Sequence, residues 1–244
     1  MSDDPTSPHG RNVALLIDAD NASPDSLDPV LTMLAELGTV NIRRAYGNWQ
    51  KPALKGWAAM THLHAIEPYQ QFDVTKGKSA TDMKMTIDAM DLLYRGHVHG
   101  FGIMSSDSDF MPLALRIRQD GVPVYGFGTD KTPVSFREAC TRFIDVAALA
   151  PRIDPGAPAG AEPRSRVPID QGLRKLLRDA IDASKHDVDG YASLSEVGNR
   201  AGNRSSFDAR TYGFSRLSDL IAAIPEFQVD RREGGVFVRR APAR

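Results

Sequence analysis

Short apolar runs alternate with amphipathic stretches over residues 11–149, and this alternation constrains the fold more than any other feature of the sequence. The runs are "VALLI" (13–17), "VNIRRAY" (40–46), a stretch near "HAIEPY" (64–69), "GFGIMSS" (100–106) and "VPVYGFG" (122–128), with "RFIDV" as a last short strand. Between them, apolar spacing predicts helices around 52–62, 81–94 and 109–119. One more helix is expected in "SPDSLDPVLTMLAELG", where Ser23 caps, Pro24 opens, and Gly38 stops a face of Leu27, Val30, Leu31 and Leu34. Strand–helix alternation of this kind predicts an α/β fold, a parallel sheet covered by helices on both faces. Such sheets place their functional groups at the carboxyl ends of the strands.

The alternation stops at "APRIDPGAPAGAEPRSRVP" (150–168), a Pro-, Gly- and Ala-rich stretch that reads as a flexible linker. The expected layout is therefore an α/β domain at 11–149, the linker at 150–168 and a smaller domain at 169–241. In the last part, Leu173, Leu176, Leu177, Ala180 and Ile181 share a helical face. Ser193 and Glu196 have capping-box spacing and start a second helix, and Leu217, Leu220, Ile221 and Ile224 mark a third. "FQVDRREGGVFVRR" reads as a hairpin about Gly234-Gly235. Three helices and a hairpin predict a winged-helix arrangement.

Hydrophobic residues make up 41% of the 244, enough for a sizeable core and against global disorder. No apolar run approaches the roughly 18 residues of a membrane span, so no membrane partner is expected. The polar, acidic opening "MSDDPTSPHG" is unlike a signal peptide, and the single cysteine, Cys140, allows no internal disulfide. Together these predict a cytoplasmic location. Charge is unevenly spread: residues 1–150 hold 14 Lys+Arg against 18 Asp+Glu, and residues 151–244 hold 16 against 13. This suggests an acidic active domain beside a basic contact domain.

Acidic residues sit where the strands end. Asp18, Asp20 and Asn21 follow the first run in "IDADN". Asp82 opens a helix in "KSATDMKM", and Asp107 and Asp109 follow the later strand in "IMSSDSDF". Each has an ordinary structural use: Asp18 can cap a turn, Asp82 suits a helix N-terminus, and Asp107 or Asp109 can cap the following helix. Asp109 is the better choice for the cap, and Asp20 reads as surface. Taken together, Asp18, Asp82, Asp107 and Asp109 are expected to share one cleft, where several carboxylates stay ionised only beside a cation. Oxygen-only ligands favour a hard ion, magnesium or manganese, suited to polarising a phosphate and activating water.

An anionic substrate at such a cleft needs basic neighbours. Lys76 and Lys78, flanking Gly77 ahead of Asp82, are the first choices, followed by Arg43, Arg44 and Lys84. Arg200, Arg204, Arg210, Arg231 and Arg232 offer phosphate contacts in the second domain. Trp49 is placed to stack a base, although packing against the sheet is its more ordinary use. "RGHVHG" shows no metal-ligand spacing.

"VALLIDADNASPD", "RRAYGNWQKP", "QFDVTKGKSATDMKMTIDAMDLLY", "GFGIMSSDSDFMPLALRIRQDGVPVYGFG" and "KTPVSFREACTRFID" closely resemble the NYN-domain family, a branch of the PIN-like nucleases. "YASLSEVGNRAGNRSSFDARTYGFSRLSDLI" and the hairpin after it resemble an OST-HTH/LOTUS winged-helix RNA-binding domain. The resemblance implies a Rossmann-like sheet and a metal-dependent endoribonuclease with a second RNA-binding module. Its acidic positions fall on Asp18, Asp82, Asp107 and Asp109, with Asn21 and Ser106 in support. RNA is the implied partner, and the sequence is compatible with a homo-oligomer. Two other readings stay open. One is a non-catalytic RNA-binding scaffold. The other is a haloacid-dehalogenase-type phosphatase, whose Asp-x-Asp motif Asp18 and Asp20 imitate; Asn21 departs from its pattern.

Overall fold

A computed structural model describes residues 11–72, 80–149 and 168–241. Lys76, Lys78 and nearly all of the linker lie outside these residues. The described chain falls into two compact units, divided near Pro151.

The first unit is built on six strands: β1 (Asn12–Asp18), β2 (Thr39–Gly47), β3 (Glu67–Gln70), β4 (Gly100–Met104), β5 (Val124–Gly128) and β6 (Arg142–Asp145). All neighbours pair in parallel, in the order β3-β2-β1-β4-β5-β6. The helices are α1 (Leu27–Ala35), α2 (Lys55–Leu63), α3 (Ala80–Tyr94), α4 (Met111–Gln119), α5 (Val134–Ala139) and α6 (Val146–Leu149). Alternation along β1 shows why both faces are covered. Val13, Leu15 and Ile17 pack with Leu27, Val30 and Leu34 of α1, whereas Ala14 and Leu16 pack with Met85 and Ala89 of α3. Strand order reverses between β1 and β4, so the crossover connections diverge there and leave a crevice above those two carboxyl ends.

Some local expectations need correction. Ser23 caps a short 3-10 turn, Pro24–Ser26, and α1 proper begins after it. The third strand is shorter than "HAIEPY" suggested and starts at Glu67.

The second unit has helices α7 (Gln171–Asp182), α8 (Leu194–Gly202) and α9 (Leu217–Ala222), with strands β7 (Ala192–Ser193), β8 (Phe227–Arg232) and β9 (Gly235–Arg240). The strands form an antiparallel sheet in the order β7-β9-β8. Leu173, Leu177 and Ile181 of α7 share a core with Val197, Leu220, Ile221 and Val238. The Ser193–Glu196 capping box does not form. Ser193 precedes α8 without a side-chain cap, and Glu196 pairs instead with Arg200, 2.8 Å away, on its own helix.

Candidate active site

Strand parity aims two side chains at one point. Asp18 continues the row of Ala14 and Leu16, and Ser105 continues the row of Phe101 and Ile103, both rows packed on the α3 side. Ile17 is paired with Met104, so the next residues, Asp18 and Ser105, stand opposite each other. The Ser105 hydroxyl donates to Asp18 Oδ2 at 2.7 Å, and Asn21 Nδ2 donates to the same oxygen at 2.9 Å. Asp18 Oδ1 is buried with no hydrogen-bond partner among the described residues. Burial raises the Asp18 pKa above the ordinary carboxylate range; the hydrogen bonds from Ser105 and Asn21 oppose the rise, and the nearby Asp20 carboxylate adds to it.

A buried ionised carboxylate with one unpaired oxygen costs stability, and the sign of its pH dependence follows. The folded state holds the Asp18 proton more tightly than the unfolded chain. The cost is therefore absent below the ordinary aspartate pKa of about 3.9 and grows as pH rises through the higher folded value. In protein free of divalent ions at pH 7, Asp18→Asn should raise the melting temperature by about 2–4 °C, a gain of roughly 1 kcal/mol. Melting curves across pH should show that advantage shrinking towards pH 4; a melting temperature lowered at neutral pH would refute it.

Three other carboxylates meet beside this pair. Asp82 sits in the first turn of α3, and Asp107 precedes the 3-10 turn Ser108–Phe110 that leads into α4. Asp82, Asp107 and Asp109 each bring a carboxylate oxygen within 4.8 Å of the others. Asp82 and Asp107 are half-buried, and Asp109 is exposed. Asp18 is outside this trio, although the two parts are tied together. The Asp107 backbone N–H donates to Ser105 Oγ at 3.1 Å, and the same hydroxyl donates to Asp18. The cap also differs from expectation: it is Asp107, not Asp109, whose Oδ1 accepts the N–H of Asp109 at 2.9 Å. Ser106 has the opposite parity to Ser105. Its hydroxyl accepts the Thr129 N–H at 3.1 Å and ties the loop to the end of β5. Ser105 is thus the supporting residue that sequence reasoning missed. Extending the β1–β4 register by one residue would have found it.

The sequence matches the NYN domain over residues 12–149, more than half of the chain. The chain belongs to the NYN family. Residues 168–239 match the OST-HTH/LOTUS domain, which follows the NYN domain along the chain. An uncharacterised protein of Methanocaldococcus jannaschii is 25% identical over 124 residues, covering 49% of this chain and 48% of that protein. The chain thus spans about half the length of the curated relative it matches. A protein of unknown function from Vibrio parahaemolyticus, known from its crystal structure, superposes with a TM-score of 0.47 at 19% identity, covering 57% of this chain and 94% of that one.

Within the NYN domain, several basic residues expected at a phosphate are engaged in the fold. Arg43 donates to the carbonyls of Val40 and His64, at 3.0 and 2.8 Å. Arg44 lies over the Tyr69 ring, with Glu67 at 3.3 Å as an ion pair rather than an aligned hydrogen bond. Lys84 donates to Asp88 at 2.6 Å and also faces the Tyr69 ring. Asp20 is not plain surface: it pairs with Lys51 at 3.1 Å and accepts a long 3.4 Å bond from Thr81, at the start of the Asp82 helix. Trp49 packs beside the sheet and donates Nε1–H to the Tyr69 carbonyl. In the OST-HTH/LOTUS domain, Arg204 lies 3.8 Å from Asp179 and Arg210 lies 3.3 Å from Asp208. Arg200 pairs with Glu196, and Arg231 with Asp219 at 3.0 Å. Arg232 is held between Asp187 and Asp230, at 2.6 Å from each, against the Tyr191 and Phe237 rings.

Proposed function

We propose that the chain is a metal-dependent endoribonuclease whose second domain captures the RNA. The observation that carries this reading is the trio of Asp82, Asp107 and Asp109 at the reversal point of a parallel sheet. Three carboxylates at that separation repel one another unless a cation lies among them. The donor set fits a hard divalent ion, magnesium or manganese: every donor is a carboxylate oxygen, and neither Cys nor His joins the trio. Asp82, Asp107 and Asp109 would hold the ion, and Asp18, with its unpaired buried oxygen, would add charge beneath them. Such an ion supplies polarisation of the scissile phosphate and a lowered pKa for an attacking water.

The protein's own groups fix the carboxylates. The cap on Asp109 N–H orients Asp107, and Ser105 holds both Asp18 and the Asp107 backbone. Lys76 and Lys78 remain the proposed phosphate contacts ahead of α3. Arg43, Arg44 and Lys84 would have to give up partners inside the fold to take that role. The OST-HTH/LOTUS domain, carried on the same chain, raises the local concentration of bound RNA at the carboxylates.

Incubating the purified chain with end-labelled RNA and manganese should yield shorter products with 5′-phosphate ends, and a chelator should stop the reaction. RNA bound at unchanged affinity with no cleavage in magnesium or manganese would instead establish a non-catalytic RNA-binding protein.

A further inference from the structure

A groove of about 720 Å³ opens directly beside the carboxylate trio, between α3, the start of α4 and the start of α5. Asp82 and Asp109 line it, and the rest of its wall is of a different character, formed chiefly by Met83, Ile87, Met111 and Pro112. Met83 and Ile87, one helical turn apart, are 66% and 54% exposed. Large apolar side chains left in water beside a charged site mark a surface that an apolar group covers in use. Among the described residues no lysine, arginine or histidine lines the groove, and its wall of thioethers and aliphatic side chains gives a phosphate no partner. A neutral flat ring suits it better. Met83 and Met111 offer polarisable sulfur to a ring, and the hydroxyls of Thr86 and Ser135 offer hydrogen bonds to its polar edge. The volume is within the usual range of sites for small organic groups, roughly 300–1,000 Å³.

We propose that this groove is a nucleobase subsite, taking the base next to the phosphate that a divalent ion at Asp82, Asp107 and Asp109 would hold. The inference rests on the reading of that trio as a phosphodiester site. It also states which RNA fits: a base reaches the groove only when unstacked from its neighbours, and the apolar wall selects for a ring rather than for a particular edge. A protein partner is the poorer occupant, because a surface covering Met83 and Ile87 would also close off Asp82 and Asp109, which line the same groove.

The test compares the full chain with a Met83→Ala/Ile87→Ala variant, whose altered side chains are more than half exposed and should leave the melting temperature unchanged. Affinities are measured with calcium in place of manganese, for a short single-stranded RNA and for the same ribose-phosphate chain lacking its bases. The variant should lose about five- to tenfold in affinity for the base-bearing strand and nothing for the abasic one. Equal losses on both strands, or no loss on either, would overturn the subsite. So would a change from dimer to monomer in sedimentation with the base preference intact, which would assign the face to a second copy of the chain. Cleavage assays on the parent separate the two readings. Loss of base preference in the variant with no cleavage by the parent leaves the subsite standing and removes the nuclease; cleavage with an unaltered base preference does the reverse.

Discussion

Asp107→Asn should lower the rate of RNA cleavage roughly a hundredfold or more and leave the fold and the RNA affinity close to those of the parent. The substitution is informative because Asp107 has two jobs that it separates. As a cap, Asp107 uses Oδ1 to accept the Asp109 N–H, and asparagine caps as well as aspartate does. As a member of the trio, it contributes a negative charge that asparagine lacks. Losing one charged ligand of a metal that stabilises a developing negative charge costs about 3 kcal/mol of transition-state stabilisation, which is the hundredfold. Single-turnover cleavage in manganese, with melting temperature and RNA affinity measured on the same preparations, checks the prediction. Equal cleavage by variant and parent would remove Asp107 from the chemistry. A large fall in melting temperature would show that the cap, rather than the charge, had been lost.

The largest effect on stability is expected away from the trio, at Asp88. This residue lies on α3 with only 5% of its surface exposed. It accepts from the Tyr46 hydroxyl at 3.1 Å and from Lys84 at 2.6 Å, and an Arg44 nitrogen lies 3.6 Å away. Tyr46 is fully buried and stacks on Tyr69 with ring centroids 5.2 Å apart, while Arg44 and Lys84 both face the Tyr69 ring. The fully buried Tyr46 side chain and the negative charge of Asp88 both push the Tyr46 pKa up, so the phenol stays a hydrogen-bond donor. Asp88→Ala would remove the acceptor of the buried Tyr46 hydroxyl and leave Arg44 and Lys84 without their common carboxylate. Breaking a buried pair of this kind costs about 3 kcal/mol or slightly more, a fall of roughly 6–12 °C in melting temperature. Tyr46→Phe removes one hydrogen bond and keeps the ion pairs, so it should cost only about 1 kcal/mol. If the two losses were equal, the ion pairs would be contributing nothing.

The parallel sheet, its two helical coats and the strand ends bearing carboxylates were all legible in the sequence, because each is written in local periodicity and in residue type. Less legible was anything that depended on a partner from another element. Ser105 and Ser106 are equivalent by composition and differ only in which face of β4 they continue, so the distinction needs the β1–β4 register. Arg43, Arg44 and Lys84 read as phosphate ligands because sequence shows their charge and hides the carbonyls of Val40 and His64 and the carboxylate of Asp88. Asp20 looked ordinary for the same reason, since Lys51 and Thr81 are 31 and 61 residues away. The strand β7 has two residues, too few to show any alternation. The Met83–Ile87 surface was invisible because helical spacing makes an exposed apolar pair look like one side of a buried stripe.

The bond between Ser105 and Asp18 joins residues 87 positions apart, and the strands that carry them are neighbours in the sheet. During synthesis, β1 leaves the ribosome long before β4 does. A nascent chain that ends before Ser105 contains Asp18 but has neither the serine that holds it nor two of the three carboxylates of the trio. Pairings of such long sequence separation close late in folding. The carboxylate site is therefore incomplete until most of the first domain has emerged and β1 has found β4. Strand order alone delays its assembly.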